Sequence, residues 1–259
     1  MTRRRTGLVI AALVGAAVLA VSGCTSGRPP EPSSTTATGT TAPASRTVTT
    51  TSIDLAPSTA GFRGVVREHR GRTDDGTVTW DYALPQVEGG TKAVREAFNT
   101  AMDSATGALV PGPAGTETTF GNATLLPEEV SRTVVARTTL SGALIVDRMF
   151  TGAAHPSVAV QTVVIEAAAG RTLLLDDVFA DPAAARTQLA SLARSADTTG
   201  RLAGSTGDPA ELHAWIATDE GLHLYVPVIH ALGDYVPVTL AWADVAPLLN
   251  ATGRILFAG

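Results

Sequence analysis

Thr133-Val134-Val135-Ala136-Arg137-Thr138-Thr139-Leu140-Ser141, then Gly142 and the apolar run Ala143-Leu144-Ile145-Val146, is the stretch that decides the fold. Val134, Ala136, Thr138 and Leu140 alternate with Thr133, Arg137, Thr139 and Ser141, the period of a strand with one wet face. The reading is one strand up to Ser141, a break at Gly142, and a second run leading into Met149-Phe150. Downstream, Val158 to Ile165 reads as a third strand, and Gly170 turns the chain into Thr172-Leu173-Leu174-Leu175. Asp181 with Pro182 opens a helix whose buried stripe is Ala185, Leu189 and Leu192. A hairpin follows, Leu212 to Ala217 and Leu222 to Val228 around Thr218-Asp219-Glu220-Gly221. Val236 to Ala241 is a short strand, and Asp244 to Leu249 a last helical turn.

Upstream, Val65 to Tyr82 carries β-formers interrupted by the turn signal Asp74-Asp75-Gly76. Pro85 and Gly89-Gly90 are expected to end that region. Thr91 caps a helix with the stripe Val94, Phe98, Ala101 and Met102, which Gly107 stops. Strands dominate, helices come singly, and the turns are short. That pattern means α+β with a largely antiparallel sheet and a few packed helices.

The chain starts differently. Arg3-Arg4-Arg5, an apolar run from Leu8 to Val21, and Val21-Ser22-Gly23-Cys24 have the order of a secretory signal. The run is shorter than the roughly 20 apolar residues that span a bilayer. Cys24 is the only cysteine, and the junction resembles the lipobox of bacterial lipoproteins. Residues 1–23 are therefore expected to be a signal peptide, and Cys24 to carry lipid that holds the protein on the extracytoplasmic face of the cell membrane. Two or more acyl chains make such an anchor stable. Residues 24–52 hold the cysteine and a Ser/Thr/Pro-rich tether with no core-forming pattern. Residues 53–259 remain for an α+β domain, in halves of about 53–125 and 126–259.

Losing Arg3, Arg4 and Arg5 takes the formal charge from −5 to −8, an acidic balance that disfavours nucleic acid. With Cys24 alone there is no internal disulfide and no thiolate metal site. The sequence has no Gly-x-Ser-x-Gly, no His-Glu-x-x-His and no phosphate-cradling glycine run. No catalytic residue, cofactor or metal site is expected. The five histidines, His69, His155, His213, His223 and His230, are scattered. A four-residue hairpin loop would set His223 opposite Ile216, with His213 on the other face, so those imidazoles do not converge. Asp176-Asp177 reads as a turn start that bonds backbone amides while Val178-Phe179 pack inward. Thr151-Gly152-Ala153-Ala154-His155-Pro156 is a compact loop whose small residues allow close backbone approach. Gly152, Ala153, His155, Pro156, Asp176 and Asp177 form the candidate binding surface, with the two segments expected near each other.

The same pieces carry a resemblance. The Gly152-to-Pro156 loop, Leu173-Leu174-Leu175-Asp176-Asp177-Val178-Phe179, the strand Leu222 to Val228 and the closing segment with Trp242 occur in a familiar order. They are similar to the extracellular domain of RsiV-type anti-sigma factors, found also in peptidoglycan deacetylases and secreted actinobacterial immunogenic proteins. Trp80-Asp81-Tyr82, Pro85 and the helix from Thr91 resemble the companion N-terminal half. Gly152-Ala153 stands where a Gly-Gly pair is more usual. The resemblance implies an α+β fold and a binding role without catalytic residues, directed at a lysozyme-like protein or cell-wall glycan. Only Met1 to Arg5 precede the signal, so no sigma-factor-binding segment is expected. The competing reading is a cell-wall hydrolase or esterase using His155 with Asp176 or Asp177.

Overall fold

Two sheets stack between helices in the computed structural model, which describes residues 58–126, 128–203 and 208–258. The expected signal peptide (residues 1–23), the expected lipid on Cys24 and the expected tether (24–52) lie outside the described residues. The large sheet runs β1 (Phe62–Arg72), β2 (Val78–Gly89), β3 (Thr118–Asn122), β5 (Thr139–Phe150), β6 (Ser157–Glu166) and β7 (Arg171–Thr172). A seventh strand, β4 (Arg132–Val135), pairs with the start of β5, while β3 pairs with its end. The small sheet is β8 (Trp215–Ala217), β9 (Gly221–Pro227) and β10 (Tyr235–Ala241), with β9 in the middle. Every named strand pair is antiparallel except β2 and β3, which helix α1 (Lys92–Thr106) connects. The fold is α+β.

β5 explains the apolar run that opened the reading. Its first eight residues are buried. Leu140, Leu144 and Val146 pack toward Phe98 and Met102 of α1, while Ala143 and Ile145 pack with Ile216 and Tyr225 of the small sheet. A strand covered on both faces loses its polar alternation. Beyond the small sheet, Leu222, Leu224 and Val226 pack on α2 (Pro182–Ala196), α3 (Trp242–Val245) and α4 (Ala251–Phe257). Among the described residues no helix is long and apolar enough to cross a membrane.

Four local expectations are corrected. Residues 133–141 are not one strand: β4 and β5 form a hairpin with Val135 opposite Leu140. The Ala136 amide closes the turn on the Thr139 carbonyl at 3.0 Å. Its other supports are distant, the Asp219 carboxylate on the Arg137 amide and the Leu256 carbonyl on the Thr138 hydroxyl. Gly142 does not break β5; a Cβ there would lie 2.5 Å from Met102 Sδ, so the glycine lets α1 approach the sheet. Pro85 does not end β2, which continues to Gly89 opposite β1. Beyond Asp81, no strand among the described residues pairs with β2 on its β3 side. There the Ala83 and Val87 amides bond to the side chains of Asn122 and Asn99, and Pro85, between them, has no amide to satisfy. Finally, Thr172 to Leu175 yields only the two-residue β7 before a 3-10 turn at Leu175–Val178.

The candidate functional site

The loop from Thr151 to Pro156 joins β5 to β6, with Gly152 in the left-handed region at φ 92°. The Thr151 amide bonds to the Glu117 carbonyl and the Ala153 amide to Phe150, so the loop is fixed at its base. It presents His155 to solvent. The β9–β10 connection approaches from 75 residues away: His230 Nε2 lies 2.5 Å from His155 Nδ1. The rings are nearly parallel, 20° apart with centroids at 4.3 Å. Behind them Asp234 Oδ1 accepts from His230 Nδ1 at 2.7 Å, and Asp234 Oδ2 accepts from the Val158 amide at 2.8 Å. Asp234 sits at φ 65°, a left-handed conformation that aspartate tolerates better than most side chains. One carboxylate thus ties the start of β6 to the β9–β10 turn and orients His230. Exposed Ile229 (70%) stands beside the pair.

The other half of the expected surface lies elsewhere. Asp176 pairs with Arg186 of α2 at 2.8 Å, and Asp177 accepts from the Leu174 amide at 2.8 Å. Val178 and Phe179 are buried. Asp177 thus starts a turn as its residue type suggests, whereas Asp176 bridges to a helix. The two segments do not meet. Leu173 bonds to Val164, eight residues along β6 from Pro156, which at strand rise is about 26 Å. Gly170 does reverse the chain, but β7 is too short to carry it back. The carboxylate behind His155 is Asp234, acting through His230, and not Asp176 or Asp177.

The remaining histidines separate as the hairpin register requires. His223 pairs opposite Ile216, as the loop length predicts, and His213 is exposed. His223 is not isolated, however. It lies between the sheets with its Nδ1 2.8 Å from Thr239 Oγ1 and its Nε2 3.3 Å from Glu129 Oε1. Glu129 also accepts from the Tyr225 hydroxyl at 3.1 Å and pairs with Arg132 at 2.9 Å. Burial pushes the Glu129 carboxyl up, yet His223, Arg132 and Tyr225 together hold it below its ordinary range. Burial and the Glu129 charge push the Tyr225 phenol up.

A second site was not foreseen. His69, Val78, Trp80, Tyr82, Leu109 and Phe120 line a cleft of 250 Å³ where α1 ends beside β1 and β2. The register sets His69 opposite Tyr82 and Gly71 opposite Trp80, so these residues share one face. The Trp80 indole covers Gly71 closely: a Cβ there would come 2.4 Å from its ring. His69 lies 6.0 Å from the Trp80 ring and 5.3 Å from the Tyr82 ring, centre to centre. Trp80 Nε1 is buried without a hydrogen-bond partner, and a buried unmet donor costs about 1–3 kcal/mol. Thr73 and Thr106 stand at the rim. Burial pushes the Tyr82 phenol up, with the Thr106 hydroxyl pulling it back, so at neutral pH it stays a neutral hydrogen-bonding group. The β-forming character of Val65 to Tyr82 was legible, but the β1 register that sets His69 opposite Tyr82 was not.

No protein-family model matches the sequence, nor does any curated protein. Among solved structures, the chain is similar to a member of the DUF3298 family from Bacteroides fragilis, at 15% identity and a TM-score of 0.50. That match covers 75% of this chain and 95% of that one. A DUF3298 family protein from Pseudomonas aeruginosa matches at 11% identity and a TM-score of 0.47, covering 76% and 96%. At such identity the likeness is one of fold: the chain shares its α+β architecture with a DUF3298-family structure along three quarters of its length.

Proposed function

We propose that this chain is a non-enzymatic binding module, held on the extracytoplasmic face of the cell membrane by lipid on Cys24, and that its folded body takes a cell-wall glycan. The observation that carries this is the cleft of Trp80, His69 and Tyr82. Sugar rings offer flat C–H faces that lie on aromatic rings, together with hydroxyls that accept and donate hydrogen bonds. The cleft supplies ring faces in one place, and at its rim the Thr73 and Thr106 hydroxyl oxygens, whose protons go to Asp75 and to the Asp103 carbonyl, are left as acceptors. The RsiV-like order of motifs and the lipobox-like junction at Cys24 agree with an envelope role. A second reading, a lysozyme-like protein partner, is favoured by the paired loops, which present Ile229, His155 and His230 on a fixed base. An acidic chain would then meet a basic partner faster at low salt.

The test is calorimetry of the full-length chain in detergent against solubilised peptidoglycan and against lysozyme, with parallel assays for ester, amide and glycoside cleavage. Peptidoglycan fragments should bind without being cleaved. Trp80→Ala should weaken them roughly ten-fold, the scale of one lost aromatic contact. Trp80→Phe, which keeps a smaller ring face, should fall between. Binding of lysozyme alone would shift the reading to the protein partner. Robust turnover abolished by His155→Ala would overturn the non-enzymatic assignment.

A further inference from the structure

We infer that His155 and His230 form a binding site for a first-row divalent cation of the zinc or copper type, with Asp234 as its orienting carboxylate. Imidazole is the common protein ligand for such borderline ions. The nitrogens that would bind, His155 Nδ1 and His230 Nε2, already face each other at 2.5 Å. Asp234 accepts the hydrogen bond of His230 Nδ1–H, so Nε2 is the ring nitrogen that carries the lone pair. A carboxylate behind a histidine in this way fixes its tautomer and raises its basicity, the usual outer contact of a metal-bound imidazole. Asp234 is itself held by the Val158 amide, so the ring it orients is anchored to the sheet. His155 Nδ1 has one other contact, the Pro156 carbonyl at 3.4 Å, too long to compete for it.

Two nitrogens bound at about 2.05 Å with a tetrahedral angle stand about 3.3 Å apart. The pair must therefore open by under an ångström. Both side chains are exposed and carried on loops, so they can part without disturbing the core. When both rings are neutral, the proton between them sits on one nitrogen of the pair. With His230 Nδ1–H fixed on Asp234, that proton is on His155 Nδ1. Cation binding moves it to His155 Nε2, and no proton leaves. Among the described residues no group of three or more ligating side chains converges, so water completes the coordination. The site is separate from the aromatic cleft, and its fate does not bear on the glycan reading.

The experiment is calorimetric titration of chelator-stripped full-length protein with zinc sulfate, and with copper sulfate for spectroscopy. Wild type should bind one equivalent, with copper tighter than zinc. His155→Ala and His230→Ala should each weaken zinc at least ten-fold, and Asp234→Asn about ten-fold. His213→Ala, which alters an exposed histidine elsewhere, should leave the affinity unchanged, and circular dichroism should show every variant folded. Electron paramagnetic resonance of the copper form should report two imidazole nitrogens. Zinc binding no tighter in wild type than in the doubly substituted His155→Ala, His230→Ala protein would overturn the inference. An equal loss in His213→Ala would do the same.

Discussion

Glu129 is 6% exposed, and its carboxylate faces three side chains from the two sheets: Arg132 of β4, and His223 and Tyr225 of β9. Removing one partner from a buried charged group costs about 3 kcal/mol, because the others are left without their counterpart. Glu129→Gln should therefore lower the unfolding free energy at pH 7 by about 3 kcal/mol in chemical denaturation. The folded carboxyl lies below its ordinary value of 4.5. Its contribution is then complete above pH 4.5 and is lost as pH falls through the folded value. The gap between wild type and Glu129→Gln should narrow below pH 4.5; a gap independent of pH would contradict a charged Glu129 in the folded state. No residue near Glu129 announced this role. In Pro127-Glu128-Glu129 it reads as a surface loop acid, since its partners lie 3, 94 and 96 residues away in the chain.

At the scale of elements, the helices were the most legible parts because their signals are local. Asp181 accepts from the Ala184 amide at 3.1 Å with Pro182 at the first helical position, as the residues Asp-Pro suggest. Asp181→Ala should lower stability by about 1 kcal/mol, while Asp181→Asn, which keeps the accepting oxygen, should stay close to wild type by thermal melting. Equal losses in the two variants would mean that the carboxylate acts by charge and not as a cap. Helix α1 buries Val94, Phe98 and Met102 of the predicted stripe, although Thr91 makes no side-chain cap bond. The β4–β5 turn is the opposite case. Its residues Ala136-Arg137-Thr138 include neither Gly nor Pro, and the groups that hold it, Asp219 and Leu256, come from the end of the chain. Helix α4 was likewise missed: Asn250 caps it by accepting from the Gly253 amide, and it also donates to the Asp177 and Phe179 carbonyls.

Across the whole molecule, the layers run α1, large sheet, small sheet, then α2 with the two C-terminal helices. The histidine pair joins the large sheet to the small one at the β5–β6 loop, and the aromatic cleft opens on the α1 side. The two sites therefore belong to different layers, and a substitution in one should leave the other's affinity unchanged. Envelope attachment can be checked independently of either. The full-length protein should partition into detergent with an acylated N-terminus at Cys24, and Cys24→Ser should partition into the aqueous phase. An unmodified Cys24 on the processed protein by mass spectrometry would remove the anchor from the proposal.

The sequence by itself determined the α+β class, the helices α1 and α2, and the register that sets His223 opposite Ile216. These depend on periods and turn lengths within a few residues, where geometry leaves few choices. Tertiary structure alone decided which polar groups meet. His155 and His230, Glu129 and His223, and His69 and Trp80 are joined by strand register and sheet stacking. Those contacts form across 75, 94 and 11 residues, and the ten-residue β6 holds His155 away from Asp176 by its length. A side chain's type states what it can bond to; only the closed fold fixes what is within reach.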